Sequence, residues 1–268
     1  MKSKSPVFFA MLIAATLTAC GGGGGNSQGS AGASPPPVLN ANVVNPAPVA
    51  TGTGDPATSL SWQGYQWAVR TAPGAPGAPQ QWSAGNVFID ANDWLHLKIT
   101  RDATGNYQQA ELDSIRIGWG YGTYTWRVNT DVSQFAPEYV LGLFTYGADA
   151  AYGHREIDIE ASAWGSAPVT WDYTTWANGH NPVSRNPAPV GASTQQIDWQ
   201  ADHITWTSWD AAGRVIATST ATGADVPVPG DEGIGINLWV CGCSSNWQQT
   251  TPATEVVLSG FQFVPAVH

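Results

Sequence analysis

From Tyr65 onward the chain is built from short runs in which apolar and polar residues alternate, closed every 8–15 residues by Gly, Asn, Asp or Pro. A period of two belongs to strands with one buried face, because successive side chains leave opposite sides of the backbone. The pattern predicts strands over 65–69, 86–90, 94–100, 111–117, 122–129, 140–145, 155–161, 169–175, 204–209, 215–220, 235–240 and 255–264. No stretch keeps a 3.6-residue period over three turns. Asp90-Ala-Asn-Asp93 and Asp210-Ala-Ala-Gly213 have the composition of tight hairpin turns. A dozen such strands predict an all-β fold, an antiparallel sandwich of two sheets, wide enough to hold a linear polymer across its strands.

One run breaks the pattern of a simple outer face. Glu156-Ile157-Asp158-Ile159-Glu160 places three carboxyl groups at every second position, so all three leave one face of a strand. An exposed structural strand would mix charge signs, because like charges on one face repel. Three crowded acids instead push one another's pKa values apart, so that one stays protonated while another stays ionised. The two glutamate backbones are about 13 Å apart in an extended strand, and curvature and side-chain flexibility can bring their carboxyls towards the roughly 5–5.5 Å of a retaining sugar-cleaving pair.

The remainder of the chain sets the context. Lys2 and Lys4, an apolar run from Val7 to Ala15 and Leu17-Thr18-Ala19-Cys20 read as an export signal over 1–20, since the run is far shorter than the roughly 20 residues a membrane span needs. Leu-Thr-Ala-Cys resembles a bacterial lipobox, which implies cleavage before Cys20, lipidation of its thiol and contact with the membrane through that anchor alone; the alternative is an ordinary secretory signal in which Cys20 is incidental. Residues 21–57 are Gly, Ser, Ala, Pro and Asn with almost no charge, a flexible linker. Residues 58–268 are enough for one domain with one core. A net charge of −10 argues against nucleic acid as a partner. With 14 Trp and 8 Tyr, the domain has aromatic area both for its core and for an aromatic-lined groove suited to sugar rings. Cys241 and Cys243 alone make a poor zinc site and read either as a local disulfide or as two free thiols.

Five segments, in order, resemble the bacterial lichenases of glycoside hydrolase family 16. They are Gly120-Tyr-Gly-Thr-Tyr124, Leu143-Phe-Thr-Tyr146, Glu156-Ile-Asp-Ile-Glu160, Ile197-Asp-Trp-Gln200 followed by Ile204-Thr-Trp206, and Asn237-Leu-Trp239. The resemblance implies a concanavalin A-like β-jelly-roll and an endo-acting, retaining β-glucan hydrolase that needs no metal or organic cofactor; the alternatives are a transglycosylase on the same site or a non-catalytic carbohydrate-binding lipoprotein, and the exported chain is expected to be a monomer. It makes Glu156 the nucleophile, Glu160 the general acid and base, and Asp158 the group between them. The absence of an extra residue before Glu160 implies an unbulged strand, as in the lichenase-like members. Phe144, Tyr146, Asn237 and Trp239 share the parity of a cleft wall and are the expected sugar contacts. The chain also departs from the family. Thr125 replaces a glutamate, and Thr170 and Asp172 replace a Gln-x-Asn pair on the floor of the groove, where Asp172 is also expected to touch sugar. His154 replaces a tryptophan and reads either as a subsite residue or as a rim histidine. Arg155 replaces an acidic residue and is expected on the opposite strand face from the three acids. Ser259 stands where some relatives place a calcium-binding carboxylate.

Overall fold

The computed structural model describes Pro36, residues 55–77 and residues 81–267. The expected signal with Cys20, and the expected linker apart from Pro36 and residues 55–57, lie outside the described residues. Sixteen strands follow in chain order among the described residues. They are β1 (Asp55–Trp62), β2 (Tyr65–Val69), β3 (Val87–Ile89), β4 (Leu95–Arg101), β5 (Tyr107–Gln108), β6 (Ala110–Ser114), β7 (Gly122–Val128) and β8 (Tyr139–Tyr146). After these come β9 (Ile157–Ser162), β10 (Thr170–Thr175), β11 (Asn181–Pro187), β12 (Ser193–Trp199), β13 (His203–Asp210), β14 (Val215–Thr222), β15 (Gly233–Val240) and β16 (Thr254–Pro265). A single helical turn, α1 (Trp247–Thr250), precedes β16. No helix among the described residues is long and apolar enough to cross a membrane.

The strands form two antiparallel sheets, the jelly-roll sandwich the sequence implies. One, the cleft sheet, runs β1-β2-β6-β15-β8-β9-β10-β11; the other, the back sheet, runs β14-β13-β12-β7-β16-β4-β3, with β5 paired to β4. Alternation sends Leu141, Leu143, Ile157, Ile159, Trp171, Tyr173, Ile236 and Leu238 of the cleft sheet into one core with Tyr124, Trp126, Ile197, Trp206, Phe261 and Phe263 of the back sheet. Seven of the fourteen tryptophans serve this core, and Trp206 adds a polar link across it. Its indole Nε1 donates to the Asp158 backbone carbonyl at 3.0 Å, tying the back sheet to the central acid strand.

Both expected hairpin turns form. The Asp90 and Asp210 side chains each accept backbone N–H groups two and four residues on, closing the β3–β4 and β13–β14 connections. Four strands have no counterpart in the sequence reading: β1, β5, β11 and β12. β1 begins at Asp55, within the last residues assigned to the linker, and its Ser and Thr content hides it. β11 contains Pro182 and Pro187 and lies at the sheet edge, where a missing N–H is tolerated. β12 has no clean alternation because Gln195 is fully buried; its amide is satisfied by the hydroxyls of Ser193 and Ser208. The expected 155–161 strand starts at Ile157 instead. Tyr152, Gly153, His154 and Arg155 all hold φ between +53° and +61°, a left-handed turn that delivers the chain to Glu156.

Candidate active site

The cleft lies on the outer face of the cleft sheet and has a volume of about 940 Å³. Cross-strand register arranges its floor in rows. The first row is Glu111, Asn237, Gly142, Glu160, Asp172 and Arg185, on β6, β15, β8, β9, β10 and β11. The second is Asp113, Gly235, Phe144, Asp158, Thr174 and Pro182 on the same strands. Tyr146 lies opposite Gly233 one step further along, on the side of Glu156. Two glycines make room for their neighbours. A methyl group at position 235 would run into the Phe144 ring, and one at 142 into the Asn237 amide.

Glu156, Asp158 and Glu160 all line this floor, and β9 is paired on both sides without a register shift, so the strand is unbulged. Their environments differ. Burial pushes the Glu156 carboxyl up to about 7. Burial, reinforced by the neighbouring charges of Glu156 and Asp172, pushes Glu160 up to about 8. Asp158, buried between the two glutamates, is pushed well above the usual carboxylate range by burial and then by both neighbours, against a hydrogen bond from Trp176. Near neutrality this order leaves Glu156 the most readily ionised of the three and Asp158 protonated.

Trp176 is the largest omission from the sequence reading. Its Nε1 donates to Asp158 Oδ2 at 2.9 Å, its backbone N–H donates to the Glu156 carbonyl at 3.0 Å, and it lines the cleft. The signal was present, since Thr170, Asp172, Thr174 and Trp176 continue one parity along and just beyond an expected strand. Trp164 and His180 also line the cleft; they come from turns, where parity gives no guidance. Glu111, on an expected strand, joins the wall as part of a network: it accepts from Arg70 Nη1 at 2.6 Å and from Asn237 Nδ2 at 3.1 Å.

The expected contacts Phe144, Tyr146, Asn237, Trp239 and Asp172 all line the cleft. Trp239 packs edge-on against Trp164 with ring centroids 5.9 Å apart. His154 is not among the lining residues. It stacks on Tyr146 at 4.8 Å and shares a 3.0 Å hydrogen bond with the Gly147 carbonyl, so it supports the cleft wall from behind. Arg155 is not on the strand but in the left-handed turn, where its guanidinium donates to the Val228 carbonyl, Asp231 and Asp149. Cys241 and Cys243 form a disulfide, which resolves the two sequence alternatives and leaves no free thiol pair. The Glu138 carboxylate accepts the backbone N–H groups of Cys243 and Ser244 at 2.6 and 2.9 Å, anchoring that loop.

No family profile matches the sequence. No curated protein matches it either. Solved structures do. A β-glucanase from Bacillus licheniformis is 22% identical over 75% of this chain and 92% of its own, with a TM-score of 0.58. A 1,3-1,4-glucanase (lichenase) from a mouse hindgut metagenome is 23% identical over 75% and 93%, with a TM-score of 0.55. A family 16 endo-glucanase from Bacteroides ovatus, solved with the ligand G4G3G-2F-DNP, is 13% identical over 74% and 94%, with a TM-score of 0.55. The chain therefore has the fold of the family 16 β-glucanases.

Proposed function

We propose that the protein is an endo-acting, retaining glycoside hydrolase for a neutral β-glucan of the mixed-linkage type. One observation carries this reading: two glutamates, Glu156 at the entry to β9 and Glu160 within it, stand together in the cleft floor, and their surroundings hold protons to different degrees. Glu156 attacks the anomeric carbon while Glu160 protonates the departing glycosidic oxygen. Glu160, now ionised, then removes a proton from water, which displaces Glu156 and restores the configuration. Asp158, protonated and held by Trp176, keeps a third charge out of the floor.

The charge of the cleft supports a neutral substrate. Seven carboxylic acids line it (Glu111, Asp113, Glu156, Asp158, Glu160, Asp172 and Asp231) against the arginines Arg70 and Arg185. Both arginines are already paired, Arg70 with Glu111 and Arg185 with Asp172. A sulfated or uronic polymer would meet net repulsion here. The two Bacteroides ovatus structures, one with G4G3G-2F-DNP and one with a G4G4G3G product, show ligands of the proposed type bound to proteins of this fold.

The deciding experiment incubates the purified protein with mixed-linkage β-1,3-1,4-glucan, laminarin, xyloglucan and agar, and sizes the products. Short oligosaccharides from mixed-linkage glucan, absent with Glu156→Gln, are the expected result. Cleavage of none of the four would overturn the enzyme reading. We extend the proposal to the cell envelope, with the mature chain tethered through a lipidated Cys20. Incorporation of a labelled fatty acid, lost in Cys20→Ser, is the expected outcome, and an unlabelled wild-type chain would refute the anchor.

A further inference from the structure

Asp172 was expected to touch sugar, but its carboxylate is occupied by the protein. Oδ1 accepts the Thr170 hydroxyl at 2.6 Å; Oδ2 accepts Trp164 Nε1 at 2.8 Å and Arg185 Nε at 3.0 Å. It is 8% exposed and stands directly across from Glu160 in the first row, on the same face of the neighbouring strand. Arg185 follows it in the row on the edge strand β11, with its side chain 54% exposed and in the cleft lining.

The charges around Glu160 can be traced strand by strand. Its own strand brings Asp158 and the turn before it Glu156, β10 brings Asp172, and β11 brings Arg185 beyond it. On the other side β8 contributes the uncharged Gly142, and beyond that come Asn237 and the Arg70–Glu111 pair, whose charges are joined to each other. Asp172 is thus the anion next to Glu160 across the β9–β10 pairing, and Arg185 is the cation that partly offsets it.

We propose that Asp172 and Arg185 form a tuning pair for Glu160: Asp172 makes this carboxyl hold its proton, and Arg185 limits how strongly it does so. The inference rests on the reading of Glu160 as general acid and base, and makes Asp172 a positioning residue acting through Glu160. It gives the acid what its first step requires, a proton in place when substrate arrives, while Glu156, four residues earlier at the entry to β9, stays easier to ionise.

The test reads Glu160 directly. Protein labelled with carbon-13 at the glutamate carboxyl is titrated by NMR, with the Glu160 signal assigned by its loss in Glu160→Gln. Asp172→Asn is expected to titrate lower than wild type by about one pH unit, Arg185→Gln higher, and the double variant between them. The alkaline limb of kcat/KM on mixed-linkage glucan should move with the same signs. Arg185 lies on an exposed edge, so its variant keeps the test alive if Asp172→Asn folds poorly. Unmoved titrations, or shifts of the same sign in both single variants, would overturn the proposal. A raised KM with unmoved limbs would also overturn it, making Asp172 a sugar contact. The two readings fail separately. Opposite shifts in a protein that cleaves no glucan would uphold the coupling and remove the enzyme, whereas cleavage without shifts would do the reverse.

Discussion

The back sheet turns threonines outward where the cleft sheet turns acids outward, although both bury their other face in the same core. Thr205 and Thr220 share a hydrogen bond of 3.1 Å, Thr218 donates to Thr207 at 3.4 Å, and Gln196 donates to Thr125 at 3.1 Å. These are neutral cross-strand pairs that satisfy one another. The equivalent face of the cleft sheet holds Glu111, Glu156, Asp158, Glu160 and Asp172, half-buried or buried and of one sign. One sheet therefore supplies stability on both of its faces, while the other gives some up on its outer face to hold protons at different strengths. Loss of function and gain of stability should coincide on the cleft sheet and nowhere else.

The largest effect is expected at Glu156. Glu156→Gln should lower turnover of mixed-linkage glucan by about 10³-fold or more, because in the proposed mechanism no other group forms the covalent intermediate. The same variant should melt at a higher temperature than wild type at pH 8, where the wild-type carboxyl is ionised against its surroundings. A lower melting temperature there would show that the charge is welcome in the floor and would break the comparison.

Gly235→Ala comes next. The added methyl must displace the Phe144 ring, so a loss of about 1–3 kcal/mol is expected in denaturant unfolding, together with a raised KM as the ring moves into the cleft. Unchanged KM would mean that Phe144 does not touch substrate.

A smaller and more general signature lies in the pH dependence of stability. Glu156 and Glu160 are raised from an ordinary 4.5 to about 7 and about 8, so between those values the folded state binds more protons than the unfolded one. Their contribution is fully present below the unfolded value and is lost as pH rises through 7 and 8. The melting temperature should fall from pH 5 to pH 8.5, and fall less in Glu160→Gln. A curve identical in the variant would place the titrating groups elsewhere.

The legible parts of this chain share a physical cause. Where one face of a strand is apolar and the other is not, a period of two shows through, and it gave twelve strand positions and the three acids at 156, 158 and 160. It failed at β12 because a buried Gln195 reads as polar, and at β11 because prolines argue against a strand unless it lies at an edge. The site followed the same divide. Phe144 and Trp239, whose parity lay within expected strands, were found, whereas Glu111, equally within one, was not. Trp164 and His180 were not, since only folding brings those turns to the cleft. Arg185 and Asp172 became a pair only through the β10–β11 register, which no local pattern encodes.

The smallest effect should come from the back sheet. Thr218 is exposed, and its hydroxyl meets Thr207 at 3.4 Å, near the limit of a useful hydrogen bond. Thr218→Val keeps the β-branched shape that strands favour, so unfolding should change by less than about 0.5 kcal/mol and glucan cleavage not at all. A clear change in kcat would carry its own explanation. Thr207 follows Trp206, whose indole spans the core to the Asp158 carbonyl, so a disturbance of β13 has one short physical route to the acid strand. Trp206→Phe would then reproduce and enlarge the effect, and the two sheets would have to be treated as one catalytic unit rather than as a working face and its support.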